Sequence, residues 1–298
     1  MDFDKVRKNW DTYMTVQNTS LLIAGPFHKN TVKMVEKYKN IFDLIIISTY
    51  KNKDNNDLNL FKKIYGESKK IKLIENTLPL VNELHNTQNI YYQCFSVLYG
   101  LEYCNNEYVI KLRSDEVYSN LDSLIETLPT DKLSTNNIFV RDVSYKPFHL
   151  SDHMIVGGVK LLKATYYDLK SYVEINSKND VLKILNEKTP AETKIFLFAI
   201  FNSIGSCKLD WYILKEKEVF NFMKKYFYIF DVNSLAPYIV KSSVVGEITD
   251  YKKFVKNDTQ LYLKYLKNTD DLSPKNNLEQ WLFRMFYKIK RAIKNERI

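Results

Sequence analysis

Short runs of apolar and β-branched residues alternate with segments of helical period through the first 160 residues, the signature of βα units feeding a parallel sheet. The runs at 20–24, 44–49, 71–75, 108–112 and 137–140 are predicted strands, and the stretches between most of them leave room for a crossover helix. Ahead of the fourth run, Ile90, Cys94, Val97, Leu98 and Leu101 recur at i, i+4, i+7, i+8 and i+11, which gives a helix one buried face. Asn86 and Thr87 are suited to cap its start. Beyond Lys160 the pattern becomes more helical, with helices predicted at 191–204 and 215–225 and a strand at 226–231. The chain therefore reads as α/β, a mainly parallel sheet flanked by helices with a helical C-terminal extension.

No internal repeat interrupts this pattern. The polar stretch 258–277, which contains Ser273-Pro274, is a natural break. It divides a domain at 1–257 from a linker and terminal helix at 258–298. In that helix Leu278, Trp281, Leu282, Met285, Phe286, Ile289 and Ile293 form a stripe, and Arg284, Lys288, Lys290, Arg291 and Lys294 crowd the remainder. A basic amphipathic helix of this kind serves either as an anchor on a membrane surface or as a terminal helix packed on its own domain.

Composition narrows the partners. The 298 residues are 45% hydrophobic and 27% charged, which excludes a disordered or collagen-like chain. Lys and Arg number 44 against 35 Asp and Glu, a net charge of +9 that favours an anionic partner. Only 7 glycines occur, none spaced as GxGxxG or as a Walker loop, so glycine-cradled dinucleotide and P-loop chemistry are not expected. Cys94, Cys104 and Cys207 are too far apart for a zinc knuckle or a redox pair and read as reduced thiols. With no signal-like N-terminus and no apolar run of membrane-spanning length, the expected location is cytoplasmic, and peripheral on the cytoplasmic face of the membrane if the basic helix serves as an anchor.

In an open α/β sheet, ligands collect beyond the carboxyl ends of the strands. Three polar segments fall there: Gly25 to Thr31, Ser48-Thr49-Tyr50, and Arg113-Ser114-Asp115-Glu116. The last is the strongest local signal, because a buried strand ending in adjacent acids can offer hard oxygen ligands to Mg²⁺ or Mn²⁺ on a diphosphate. Lys111 and Arg113 could offset charge at the same place. An acid in that position equally suits a helix cap or a surface ion pair.

Four linked motifs, Ala24-Gly25-Pro26, Ile46-Ile47-Ser48-Thr49-Tyr50, Lys111-Leu112-Arg113-Ser114-Asp115 and Pro147 to His153, together resemble the WavE lipopolysaccharide-synthesis family over roughly residues 21–204. The resemblance implies a GT-A-like, Rossmann-like glycosyltransferase that moves a sugar from a nucleotide-sugar donor to a surface glycan such as lipopolysaccharide, lipooligosaccharide or capsule, usually with Mn²⁺ or Mg²⁺. It implies that Asp115 stands where GT-A enzymes keep the last aspartate of Asp-x-Asp, the usual metal contact; for the missing first acid either Glu116 substitutes, or Arg113 binds phosphate directly and reduces the need for a metal. His153 is then a third metal ligand or a partner of Asp152.

Gly25 and Pro26 would permit close backbone approach, and His28, Asn30 and Thr31 would meet the base, ribose or phosphate at a helix start. Ser48 and Thr49 would lie beside the nucleoside, with Gln88, Gln93, Lys111 and Arg113 as further donor contacts. Asp152 would face the acceptor. Glu192, which also suits a helix N-terminus on dipole grounds, is the first choice for the base that deprotonates the acceptor hydroxyl, and Asp152 the second. Rival readings are a nucleotidyltransferase or phosphosugar transferase on a related core, or a non-enzymatic basic protein binding nucleic acid or membrane. The 42 aromatic residues (22 Tyr, 17 Phe, 3 Trp) form no concentrated strip of the kind RNA-binding strands carry, which disfavours nucleic acid.

Overall fold

The computed structural model describes residues 14–52, 54–80, 89–138, 140, 148–175, 189–205 and 216–239. Seven strands form one sheet: β1 (Thr19–Ala24), β2 (Ile45–Tyr50), β3 (Ile71–Asn76), β4 (Tyr108–Arg113), β5 (Leu133–Asn136), β6 (Met154–Gly158) and β7 (Phe227–Phe230). Their spatial order is β3-β2-β1-β4-β6-β5-β7. β1 to β4 run parallel, β6 is antiparallel to both β4 and β5, and β7 is parallel to β5. The sheet is thus mainly parallel and flanked by helices, as the pattern predicts.

Among the described residues seven α-helices accompany the sheet: α1 (Lys29–Tyr38), α2 (Asn56–Tyr65), α3 (Ile90–Glu102), α4 (Leu121–Ile125), α5 (Val159–Ile175), α6 (Ala191–Ile204) and α7 (Glu216–Tyr226). Strand alternation sends side chains into two cores. Leu22, Ile46, Val109 and Ile155 pack with α3, α5 and α6 on one face, while Leu21, Ile45, Ile110 and Leu112 pack with α1, α2 and α4 on the other. A strand covered on both faces has no polar side to show, which is why β1, TSLLIA, is buried along its whole length. Gly100 lets α3 lie directly on this sheet: a Cβ there would fall 2.3 Å from Leu22 Cδ1 and 3.2 Å from Ser48 Cβ.

The predicted strand at 137–140 is displaced, and β5 occupies the preceding four residues. Two asparagines end the ladder. Asn136 Oδ1 accepts from the Ile138 N–H, closing a local turn, and Asn137 Oδ1 accepts from the Val232 N–H beyond β7. The apolar run at 154–158 is an additional strand, inserted between β4 and β5 with Leu112 opposite Met154. Helix α3 begins at Asn89 in a left-handed conformation without a side-chain cap; Asn86 and Thr87 lie outside the described residues. Cys94 and Cys104 are buried free thiols. Cys207 and the stretch 258–298 also lie outside the described residues. Among the described residues no helix is long and apolar enough to cross a membrane.

Candidate active site

The carboxyl ends of β1, β2 and β4 open onto a cleft of about 440 Å³. Its chemistry follows from strand alternation. On β4, Tyr108, Ile110 and Leu112 enter the α1/α4 core, so Lys111 and Arg113 emerge on the α3 side with Val109 beneath them. On β2 the same alternation turns Tyr50 toward the cleft. Its lining combines apolar and aromatic side chains, Phe27, Tyr50, Leu78, Tyr92 and Val97, of which Tyr50 and Tyr92 touch to form an aromatic wall, with the polar and charged Gln93, Lys111, Arg113 and Asp115 at its floor.

The turn after β4 is held from below. Ser114 N–H donates to the Ala24 carbonyl at 3.2 Å. Asn30 Nδ2 donates to the Asp115 carbonyl at 3.0 Å and Thr31 Oγ1 to the Ser114 carbonyl at 3.1 Å. Both side chains come from the first turn of α1 and are fully buried. Gly25, at φ 131°, crosses over this turn, where a Cβ would fall 2.8 Å from Ser114 Oγ. His28 caps α1, its Nδ1 accepting from the Asn30 N–H at 3.2 Å. Asn30 and Thr31 therefore support the floor of the cleft, while Gly25, Pro26 and His28 line it.

Arg113 sits among carboxylates. Its Nε donates to Asp115 Oδ1 at 3.1 Å and its Nη2 to Asp115 Oδ2 at 3.2 Å, a two-point pair, and Glu116 Oε1 lies 3.5 Å from the same Nε. Burial would lower the guanidinium pKa, but Glu116, Asp115 and Asp152 outweigh it, and Arg113 is held charged at every accessible pH. Glu116 is fully buried. Its Oε2 accepts from the Tyr118 hydroxyl at 2.8 Å and its Oε1 contacts His153 Nδ1. The partner of His153 is thus Glu116, where Asp152 had been an alternative expectation. Tyr118 is pushed well above its ordinary pKa by burial and by Glu116, which keeps the phenol a neutral donor.

A second charged group lies alongside. Lys111, 1% exposed, donates from Nζ to the Asp152 carbonyl at 2.6 Å. Asp152 Oδ2 accepts from Gln93 Nε2 at 2.8 Å. Burial lowers the Lys111 pKa, opposed by Asp152. For Asp152, burial would raise the carboxyl, but Lys111, His153, Arg113 and the Gln93 hydrogen bond together hold it well below the usual carboxylate range.

The remaining sequence-predicted residues are dispersed. Ser48 is on the cleft side of β2 but lies under α3, and its Oγ accepts from Asn76 Nδ2 at 3.0 Å. Thr49 is fully buried, and alternation puts it on the opposite face of the sheet. Neither lines the cleft, and the residue after them, Tyr50, does. Glu192 is in the first turn of α6, where its Oε2 is 3.8 Å from His149 Nε2, and it is not among the cleft-lining residues. Gln88 lies outside the described residues.

Tyr50 and Tyr92 were not among the predicted site residues. Their rings meet edge to face, with centroids 6.2 Å apart and planes at 73°, and the Tyr50 hydroxyl donates to the Tyr92 carbonyl. Burial pushes the Tyr50 phenol up to about 12, against a lowering hydrogen bond from Ser96, so it is neutral at physiological pH. Two signals for this wall were present in the sequence. Tyr50 is two residues beyond Ser48 on the same strand face, and Tyr92 and Ser96 stand at i, i+4 on α3.

The expected metal ligands do not form a cation site of their own. Among the described residues no group of three His, Cys, Asp or Glu side chains is arranged to hold a metal ion. The physical reason is that a guanidinium already fills the centre: Arg113 Nε stands between Asp115 Oδ1 and Glu116 Oε1, and His153 is directed at Glu116. As arranged, Asp115, Glu116 and His153 do not fit a divalent ion.

The fold is α/β, with a cleft at the carboxyl edge of its parallel strands. No protein-family model matches the chain and no curated protein matches it, so the WavE resemblance rests on the four motifs. Among solved structures, the chain is similar to the glycosyltransferase GlyE of Streptococcus pneumoniae, with 13% identity, 84% of this chain and 60% of that chain covered, and a TM-score of 0.41. It is similar to the galactosyltransferase LgtC solved with donor and acceptor sugar analogues, with 14% identity, 60% and 69% coverage, and a TM-score of 0.42. A third likeness is to HddC of Yersinia pseudotuberculosis, with 15% identity, 51% and 79% coverage, and a TM-score of 0.33. Likenesses of this size carry no argument about activity.

Proposed function

We propose that the protein is a glycosyltransferase whose cleft binds a nucleotide-activated sugar. The observation that carries this reading is the pairing of an aromatic wall, Tyr50 and Tyr92, with a cationic floor, Lys111 and Arg113, across a single cleft. A nucleoside diphosphate has the same division, an aromatic base that favours ring faces and edges and a diphosphate that favours buried cations. The sugar would then extend over Gln93 and Asp115, toward Asp152.

In the proposed step an acceptor hydroxyl oxygen forms a bond to the anomeric carbon, and the bond from that carbon to the diphosphate oxygen breaks. The diphosphate leaves with the electron pair, and the hydroxyl proton passes to a base. Of the two carboxylates expected for this work, neither lines the cleft itself; Asp152 is tied to it through the cleft-lining Gln93, and because it is held well below the usual carboxylate range it is a weak base, better suited to stabilising charge than to taking the proton. Held ionised, it can stabilise the positive charge that develops on the sugar ring. Glu192 stays as the alternative, beside His149. The acceptor expected from the motifs is a surface glycan.

Incubation of the full chain with a panel of nucleotide sugars, with products separated by anion exchange, tests the reading against the nucleotidyltransferase rival. Release of free nucleoside diphosphate from at least one donor, abolished in Asp152→Asn, is expected. Formation of pyrophosphate from a sugar phosphate and a nucleoside triphosphate would select the rival.

A further inference from the structure

The cluster at the end of β4 has the layout of a cation site in which the cation is a side chain. Asp115 and Glu116 converge on Arg113 Nε at 3.1 and 3.5 Å, and a second Asp115 oxygen takes Nη2 at 3.2 Å. Two carboxylates around one guanidinium fix its plane, since Arg pairs with carboxylate through a rigid fork. Among the described residues Nη1 has no acceptor, and the side chain lines the cleft and is 31% exposed, so the guanidinium keeps donor capacity that its carboxylate partners do not use. Lys111 adds a second cation that lines the cleft while being 1% exposed. One of its protons goes to the Asp152 carbonyl, and among the described residues the others have no acceptor. A desolvated ammonium with hydrogens to spare, next to a guanidinium locked in plane, is a built site for a phosphate-type anion.

Resting on the donor reading above, we infer that Arg113 and Lys111 are the cations that the leaving diphosphate meets, in place of a divalent metal, and that Asp115 is a positioning residue for Arg113. The usual arrangement of carboxylate, metal and diphosphate becomes carboxylate, guanidinium and diphosphate. The Arg-x-Asp sequence then has a direct physical sense. The arginine supplies the charge, and the aspartate two residues later, brought back by the tight Ser114 turn, holds that charge in place.

The test is calorimetric titration of the full chain with UDP, GDP, CDP and inorganic pyrophosphate, each in excess EDTA and again in millimolar Mn²⁺. At least one nucleoside diphosphate is expected to bind in EDTA, with its Kd changed less than about threefold by Mn²⁺. Arg113→Gln is expected to weaken that binding about tenfold or more, and Arg113→Lys, which keeps the charge but loses the fork, to restore part of it. Asp115→Asn should weaken binding by a smaller factor while leaving it insensitive to Mn²⁺, and should cost nothing further in the Arg113→Gln background, a non-additivity that a merely structural role would not produce. Unliganded melting temperatures of each variant separate loss of the fold from loss of the site.

Binding that requires Mn²⁺, is lost in Asp115→Asn and survives in Arg113→Gln overturns the inference and makes Asp115 a metal ligand, while leaving the donor reading intact. Binding of pyrophosphate alone overturns the donor reading and keeps the anion site. Failure of every probe under both conditions overturns both.

Discussion

Gly25 makes the most exacting demand of any residue in the cleft. Its φ of 131° lies where only glycine is comfortable, and the space a Cβ would need is taken by Ser114 Oγ at 2.8 Å. Gly25→Ala is expected to cost about 1–3 kcal/mol in urea unfolding, with the Ser114 turn displaced. An unchanged unfolding midpoint would mean that the turn relaxes freely. Beneath it, Thr31→Val removes the donor to the Ser114 carbonyl at nearly constant shape. Leaving a buried carbonyl unpaired is expected to cost about 1–3 kcal/mol, measured by the same denaturation, with ligand affinity falling as well because the turn carries Asp115.

Lys111 and Asp152 are coupled rather than additive. Lys111→Met removes the donor to the Asp152 carbonyl and the charge that most strongly lowers the buried Asp152 carboxyl, and is expected to destabilise the protein by about 3 kcal/mol or more. Adding Asp152→Asn in the same chain should recover much of that loss. A double variant whose destabilisation equals the sum of the two single ones would contradict the coupling.

At the scale of elements, α3 ties the cleft to the sheet. It supplies Tyr92, Gln93, Ser96 and Val97 to the cleft and rests on β1 and β2 through Gly100. Gly100→Val forces a branched side chain against Leu22 and Ser48 and is expected to cost about 1–3 kcal/mol by overpacking. It should also weaken nucleotide binding as α3 lifts; full stability and affinity would mean that α3 can shift without consequence.

The strands β1, β2 and β4 were legible because each is an apolar run buried along nearly its whole length, and the edge strand β3, only partly buried, from its apolar Ile71, Leu73 and Ile74. Helix α3 was legible from periodicity, whereas α6, buried without a break from Thr193 to Phe201, has no polar face to show one. β5 was harder to place because LSTN is polar in composition although buried, with Thr135 Oγ1 satisfied by the Ser151 carbonyl. β6, MIVGG, is too short and glycine-rich to read as a strand from propensity alone. In the site, Gly25, Lys111, Arg113 and Asp115 were legible because strand ends gather ligands. Tyr50 fell in the strand-end segment Ser48-Thr49-Tyr50, but the role was assigned to Ser48 and Thr49, which the alternation of β2 places under α3 and on the opposite face. The pairing of Glu116 with His153 joins residues 37 apart in sequence, across β4 and the approach to β6, and no local pattern encodes it.

At the scale of the whole molecule, buried charge makes stability depend on pH. The folded Asp152 carboxyl is held below its ordinary value, so it contributes stability that is fully present above the unfolded pKa of about 4 and is lost as pH falls through the folded value. The stability difference between wild type and Asp152→Asn should therefore shrink as pH drops from about 5 toward 2. A constant difference over that range would place the Asp152 pKa at its unfolded value. The net charge of +9 acts in the same direction as the floor of the cleft, drawing an anionic ligand toward a site whose own cations are fixed in place.

The account's central claim is that one cleft holds both halves of a nucleoside diphosphate. An experimental structure of the full chain soaked with the best-binding nucleoside diphosphate tests this most directly. The account predicts the base against Tyr50 and Tyr92 and the phosphates within hydrogen-bond distance of Arg113 and Lys111. Phosphates lying away from both cations, or a nucleotide bound outside this cleft, would contradict it.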